Sequence, residues 1–240
     1  MTERTRKLLI RVTLFSIAMA FLETTVVIYL REILYPGGFQ FPLAPIRDAL
    51  AFTEIGREAA TLVMLFTLAL IAGRSVSERF AWFIYCFAVW DIFYYVFLKL
   101  VLDWPVSLMT WDILFLIPVT WTGPVLAPLI VSASMILLAM VILRYTDHDG
   151  TGVKIKGWEW TLLVSGALLV VLSLTWDYSG YILEHFSFGD LWSIPRRNLL
   201  DVALSYIPRR FDWGLFIVAE GTVLTATGLI YRRLMKESRE

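Results

Sequence analysis

Cysteine and histidine are nearly absent from this chain, which has one cysteine and two histidines in 240 residues. Cys86 has no second cysteine to pair with, so an intrachain disulfide, a zinc finger and a thiol redox pair have no support. His148 and His185 both lie in predicted loops, which excludes haem ligation by paired helical histidines and a histidine-ligated metal centre inside a membrane. Glycine-rich phosphate loops and the G-x-S-x-G nucleophile motif are also missing. We therefore predict no catalytic residue, no metal site and no cofactor.

Charged residues are scarce too, at 18% of the chain, whereas 58% is hydrophobic and the mean hydropathy is +0.70. A soluble domain has roughly 45–50% apolar and about 25% charged residues. Because a domain of this size exposes much of its surface, the excess apolar side chains need lipid as their solvent. The 21 basic and 21 acidic residues balance, so no general attraction to nucleic acid is expected. The lipid bilayer is a predicted partner, and nucleic acid is not.

Long apolar runs are abundant, and a membrane-spanning helix needs about 20 mostly apolar residues. Six runs meet or approach this length, at residues 8–34, 54–73, 79–102, 123–144, 158–177 and 212–232. Thr53 is predicted to cap the second helix and Gly73 to end it, while Gly123-Pro124 would place proline in the first turn of the fourth. The sequence therefore predicts an all-α integral membrane helical bundle, with residues 1–240 forming a single transmembrane domain.

The distribution of lysine and arginine predicts the orientation of this bundle. With both termini in the cytoplasm, the inner segments hold 13 of the 21 basic residues and the outer segments hold eight, in the direction of the positive-inside rule. Three segments then lie on the outer side, at residues 35–52, 105–122 and 178–211. They are rich in proline, aromatic or apolar residues, so we expect ordered interfacial or re-entrant structure there.

Charged residues inside the predicted spans are the main functional signal, because each costs at least about 2.5–3.5 kcal/mol at the bilayer centre unless it is paired or hydrated. The carboxylates are those of Glu23, Glu58, Asp91 and Glu220. Their candidate charge partners are Arg31, Arg57 and Lys99. All of them would lie in the outer half of the membrane. We therefore predict a polar site for a ligand or ion between helices one, two, three and six, open toward the outside.

Simpler explanations exist for several charged residues. Glu–Arg and Asp–Lys pairs can hold helices together without binding anything, and this explanation stands equal to a binding site. Glu54, in the predicted first turn of the second helix, is best explained by the helix macrodipole. Trp-Asp doublets at predicted outer ends or in outer loops, such as Trp111-Asp112 and Trp176-Asp177, are best explained as interfacial tryptophan anchors with solvated neighbours.

A repeated motif in the last outer segment provides a second candidate site. Ile-Pro-Arg-Arg occurs on both sides of residues 198–206, which are predicted to form a short interfacial helix. The repeated arginines are Arg196, Arg197, Arg209 and Arg210. Because the positive-inside rule disfavours four cations on this side, the motif indicates lipid anchoring, or recognition of an anionic lipid or an acidic partner membrane subunit.

Three stretches resemble a group of known sequences: GREAATLVML at 56–65, WDIFYY at 90–95, and WDILFLIP at 111–118 leading to GPVLAP at 123–128. Together they resemble a group of uncharacterised bacterial polytopic membrane proteins of about six helices, over roughly residues 20–145. The group has no established activity. The resemblance therefore implies a bacterial inner (cytoplasmic) membrane and no mechanism.

Two hypotheses for function follow. In the first, the protein binds or moves a cation, a proton or a small polar ligand at the outward-facing intramembrane site of carboxylates and arginines. In the second, it is a non-catalytic accessory or assembly subunit of a larger membrane complex, docked through the outer arginines. No motif indicates an enzyme.

Overall fold

The computed structural model describes residues 2–146, 152–187 and 202–239. These residues form six long helices and a small two-stranded sheet, and each helix is long and apolar enough to cross a membrane. The helices are α1 (Glu3–Leu34), α2 (Asp48–Ala72), α3 (Val76–Leu102), α4 (Leu126–Thr146), α5 (Gly157–Leu183) and α6 (Trp213–Glu237). The predicted all-α helical bundle is confirmed.

Side-chain caps explain where three of these helices begin. Thr2, Ser75 and Asp212 each accept a hydrogen bond from the backbone amide three residues later, at 3.3, 3.2 and 3.0 Å. Such caps satisfy amides that the first helical turn leaves unpaired. At the end of α2, a Cβ on Gly73 would lie 2.5 Å from the backbone nitrogen of Arg79. The close turn from α2 into α3 therefore requires glycine.

The start of α2 corrects two predictions. The helix begins at Asp48 rather than at residue 54, so Thr53 is not its cap. The Thr53 hydroxyl instead donates to the Ala49 carbonyl inside the helix, at 2.8 Å. Glu54 consequently lies beyond the first turn, where the macrodipole has little effect, and the macrodipole explanation of Glu54 is wrong. An apolar run marks the part of a helix that lipid surrounds, and α2 extends beyond that part.

A β-hairpin stands where the fourth helix was predicted to begin. Strand β1 (Trp111–Phe115) pairs antiparallel with strand β2 (Trp121–Pro124), and α4 starts only after them. Gly123-Pro124 therefore ends a strand, and its predicted place in a helical turn is wrong. A Cβ on Gly123 would lie 3.1 Å from the ring of Phe211. Glycine thus allows the hairpin to pack closely on the segment that precedes α6.

The helices pack in two connected groups. Helix α3 packs against α1, α2 and α4, while α6 packs against α4 and α5. Two arginine clamps join helix ends at one side of the bundle. Arg4 of α1 donates to Glu78 of α3 at 2.8 Å, and Arg233 of α6 donates to both oxygens of Glu159 of α5 at 2.7 and 2.8 Å. We call this side the terminal end, and the opposite side, which carries the hairpin, the hairpin end.

Large apolar side chains remain exposed along the helices. Examples are Ile33, Ile71 and Leu100, which are 73%, 78% and 73% exposed. Soluble proteins rarely expose such side chains in continuous faces, because these faces cause association in water. The exposed faces suit contact with lipid tails, as a multi-pass membrane protein requires.

Candidate functional site

A cavity of about 370 Å³ lies at the hairpin end, between α1, α2, α3, the hairpin and α5. Its helical walls follow the helix repeat. Helix α1 contributes positions 23, 27, 30, 31 and 34, α2 contributes 51, 54, 55, 57, 58 and 61, and α3 contributes 90, 91, 94 and 95. Spacings of three and four residues place each set on one face of its helix. The volume falls within the range of about 300–1,000 Å³ that is typical of small-molecule sites.

The loop between α1 and α2 forms the cover of this cavity, together with residues 203–206. The backbone amide of Leu43 donates to the Leu204 carbonyl at 3.1 Å. The rings of Phe41 and Tyr206 meet edge to face, with their centroids 6.0 Å apart. Because these contacts join two segments distant in sequence, the loop is an ordered cover rather than a plain linker.

Arg57 holds together the first group of charges in the cavity. Its guanidinium forms ion pairs with Glu23 of α1 and, at 2.9 Å, with Glu54 of its own helix. The Thr61 hydroxyl donates to the second oxygen of Glu23 at 2.6 Å. Glu23 is thus neutralised and hydrogen bonded by α2, and this cluster fixes α1 against α2.

Arg31 holds the second group, and it does so with a residue that the sequence analysis missed. Arg31 donates to Asp112 of β1 at 2.8 Å, and Tyr95 donates to the other oxygen of Asp112 at 3.3 Å. The Arg31 guanidinium also lies 3.8 Å from the ring centroid of Trp104 and 4.4 Å from that of Phe39, where cation–π attraction adds to the ion pair.

Asp112 is only 1% exposed, so its assignment as the solvated neighbour of an interfacial tryptophan is wrong. The doublet Trp111-Asp112 looks like its counterparts in the sequence, and nothing local distinguishes it. The signal that could have indicated Asp112 was Arg31. On its own helix face, the only acid that could pair with Arg31 is Glu23. Glu23 in fact pairs with Arg57.

Glu58 and Asp91 differ from the other carboxylates of the cavity. Glu58 accepts a hydrogen bond from the backbone amide of Leu116 at 2.8 Å, and Asp91 accepts one from the Ser132 hydroxyl at 2.8 Å. Neither forms an ion pair with any described residue. Five carboxylates and two arginines line the cavity. The two arginines form ion pairs with three of these carboxylates. The other two, Glu58 and Asp91, have no ion pair within the described ranges.

Two residues predicted for the site lie elsewhere. Glu220 is buried in α6, does not line the cavity, and its oxygens make no hydrogen bond of normal geometry with residues in the described ranges. Lys99 is exposed at the end of α3, where it pairs with Asp103 at 2.7 Å. Lys99 therefore does not balance the charge of the cavity, and its predicted role as a charge partner there is not met.

The outer arginines are described only in part. Arg196 and Arg197 lie outside the described residues. Arg209 forms a two-bond ion pair with Glu184, at 2.6 and 3.0 Å, and these hydrogen bonds hold the pKa of Glu184 below its usual range. The Arg210 side chain is exposed, and its backbone amide donates to Asp177 at 3.2 Å.

The predicted interfacial helix at 198–206 is likewise described only from residue 202, with one helical turn at 202–204. Tyr206 at its end is buried, 1% exposed, and donates to Asp177 at 2.6 Å. The end of this segment therefore packs into the protein next to the cavity.

Comparison with known proteins found no matching family model, no matching curated protein and no matching solved structure. The chemistry of the cavity is therefore the basis for an assignment of function.

Proposed function

We propose that this protein binds a cation, a proton or a small polar ligand in the cavity at the hairpin end. If the protein is a transporter, this is also the ligand that it moves. One observation carries the proposal: Glu58 and Asp91 line the same cavity, and neither has a cation partner among the described residues. Both also keep a hydrogen bond that holds the carboxylate in place. Two oriented carboxylates without counter-charge form a site for a cation or for protons.

The structural alternative, in which charged pairs only hold helices together, accounts for the other carboxylates. Glu23 and Glu54 share Arg57 and join α1 to α2, while Asp112 and Arg31 join the hairpin to α1. Glu58 and Asp91 also join elements, α2 to the hairpin and α3 to α4, but only through neutral hydrogen-bond donors, which leave their charge without a partner in the described part of the chain. Carboxylates that are withdrawn from water and left unpaired are costly, and a bound cation or proton removes that cost.

The predicted orientation gives the site its access. With the termini in the cytoplasm of a bacterial cell, the hairpin end faces the outside of the inner membrane. The ligand would then enter from outside, past the cover formed by the α1–α2 loop and residues 203–206. The accessory-subunit alternative depends on the outer arginines, of which Arg209 is already paired with Glu184.

The test compares Glu58→Gln and Asp91→Asn, alone and combined, with Glu220→Gln as the matched control. Glu220 is a buried carboxylate of the same membrane half that does not line the cavity. Thermal unfolding of the purified full chain is followed while sodium, potassium, calcium, tetramethylammonium or pH is varied. We expect at least one cation, or acidification, to stabilise the wild type with saturation. The combined variant should lose this response, and Glu220→Gln should keep it.

The proposal fails if the wild type and the combined variant respond identically to every cation and to pH. Native mass spectrometry of protein extracted gently from its own membrane supplies a second readout. If the mass spectra show a partner protein in stoichiometric amount, and the unfolding assay shows no response that depends on Glu58 and Asp91, the accessory-subunit alternative is favoured.

A further inference from the structure

We propose that the ligand of this cavity is an organic ammonium cation, a primary or quaternary amine that carries an apolar or aromatic body. This inference rests on the proposed function, and it names the chemical class of the cation. Four features of the described residues support it: the spread of the carboxylates, the aromatic walls, the aromatic residues close in sequence to the unpaired carboxylates, and the absence of a spare cation in the cavity.

The spread of the carboxylates does not suit a metal ion. Calcium and magnesium require several oxygens within about 2.0–2.6 Å of one point. Within the described ranges, no three histidine, cysteine, aspartate or glutamate side chains lie close enough together to hold a metal ion. The unpaired carboxylates instead come from different helices, α2 and α3, around a volume of about 370 Å³. This space matches an organic molecule rather than a bare ion.

Aromatic residues form much of the wall of the cavity. The lining includes Phe41, Trp90, Tyr94, Phe115 and Tyr178. Ring faces attract ammonium groups by about 0.5–2 kcal/mol each, most strongly where water is excluded. The protein already uses this attraction beside the cavity, where the Arg31 guanidinium lies over the rings of Phe39 and Trp104. Aliphatic residues complete the wall and provide contact for the body of an amine.

Aromatic residues lie close in sequence to the unpaired carboxylates or to the group that holds them, and they line the same cavity. Trp90 precedes Asp91, and Tyr94 follows it by three residues on the same helix, with the two ring centroids 6.4 Å apart. Phe115 precedes Leu116, whose amide holds Glu58. Each unpaired carboxylate therefore shares the cavity with aromatic residues, and charge and ring faces together recognise ammonium groups.

Both cations of the cavity form ion pairs with its carboxylates, and one Arg31 nitrogen, Nη1, is buried without a hydrogen-bond partner among the described residues. Arg57 serves Glu23 and Glu54, and Arg31 serves Asp112. An anionic or carboxylate-bearing ligand would have to compete for these arginines and would also face Glu58 and Asp91. The charge pattern thus selects a cation over an anion or an amino acid.

The test is isothermal titration calorimetry of the full chain in a nonionic detergent, with 2-phenylethylammonium chloride and tetramethylammonium chloride as probes. The neutral control is 2-phenylethanol, which has the same body and lacks the charge. We expect saturable binding of an ammonium probe, and at least roughly tenfold weaker binding of 2-phenylethanol. Glu58→Gln and Asp91→Asn should each weaken ammonium binding by roughly tenfold, while Glu220→Gln should not change it.

A pair of ring variants separates the aromatic contribution from the charge. Tyr94→Phe keeps the ring and should retain ammonium binding, whereas Tyr94→Leu should weaken it roughly three- to thirtyfold, the equivalent of about 0.5–2 kcal/mol. Equal binding by both variants would remove the aromatic part of the argument.

The outcomes distinguish this inference from the proposed function on which it rests. If sodium, potassium, calcium or protons bind in a carboxylate-dependent way and no ammonium probe does, the ammonium class is wrong and the cation site stands. If no cation and no proton shows carboxylate-dependent binding, both proposals are wrong. Stronger binding of 2-phenylethanol than of the ammonium probe would identify a neutral site and overturn the inference.

Discussion

The clamp between Arg233 and Glu159 at the terminal end allows the sharpest stability prediction. Glu159 has a fully buried side chain, and Arg233 is 14% exposed. Two Arg233 nitrogens donate to the two Glu159 oxygens at 2.7 and 2.8 Å, and the Lys156 amide donates to the same carboxylate at 2.8 Å. Glu159→Gln preserves the shape and an acceptor for the Lys156 amide, and it removes the charge that Arg233 requires.

The expected loss follows from the burial of this pair. Removal of one partner from a buried ion pair costs about 3–5 kcal/mol, because the other charge remains without compensation. Arg233 retains hydrogen bonds to Glu237 at 2.8 and 3.1 Å, which offset part of the loss. We therefore expect Glu159→Gln to lower the free energy of unfolding by about 3 kcal/mol, at the low end of that range.

The measurement is equilibrium unfolding of the full chain in mixed micelles, as the fraction of sodium dodecyl sulfate rises, read by tryptophan fluorescence. Lys7→Gln is the control, because Lys7 and Glu3 form an exposed ion pair, with side chains 60% and 69% exposed. Its loss should stay below about 0.5 kcal/mol. If Glu159→Gln changes stability no more than Lys7→Gln, the link that we draw between burial and the energy of this clamp is refuted.

Three further predictions use the same chain. Arg57→Gln leaves two carboxylates without a cation and should lower the unfolding free energy by roughly 2 kcal/mol or more, and addition of Glu23→Gln should recover part of this loss in the same assay. Gly166→Ala should destabilise by about 1–3 kcal/mol, because its Cβ would lie 2.7 Å from a valine methyl group of α6. Gly180→Ala, on the same helix and with open space around it, should cost nothing and gain up to about 1 kcal/mol. Ser107→Cys, at an exposed position of the hairpin end and in a chain without the native cysteine, should react with a membrane-impermeant maleimide added outside intact bacterial cells.

Each of these has a contrary outcome. If the double variant is no more stable than Arg57→Gln, the Glu23 carboxylate is not destabilising without Arg57, and the ion pair between them is not needed. Equal stability of the two glycine variants would contradict the close approach of α5 and α6. Maleimide labelling at Ser107→Cys only after the cells are permeabilised would reverse the predicted orientation, and a ligand would then enter from the cytoplasm.

The helices could be predicted because their signals are local. Apolar run length acts on each helix separately, and the glycine after α2 marks its end as predicted. The predicted cap at Thr53 is wrong, and the caps at Thr2, Ser75 and Asp212 were not predicted. The hairpin could not be predicted in the same way. Its pairing joins residues across a turn, and Gly123-Pro124 fits the end of a strand as well as the first turn of a helix.

The position of each charged residue along its helix could be read from the chain, but the direction in which each points could not. Glu58, Asp91 and Glu220 are all acids in helices long and apolar enough to span a membrane, yet only the first two line the cavity. That difference depends on how each helix is rotated against its neighbours, which is decided by side-chain packing between elements distant in sequence.

Composition and apolar run length determined that this chain is a bundle of membrane-spanning helices, because both act through solvation of each helix on its own. Tertiary structure alone decided which charges meet. Arg31 finds Asp112 in a strand 81 positions along the chain, and Arg57 takes the glutamate that lies on the helix of Arg31. Glu58 and Asp91 have no ion pair with the described residues because the two arginines pair with other carboxylates. Which distant residues pair is decided by the packed fold and not by the sequence near each residue.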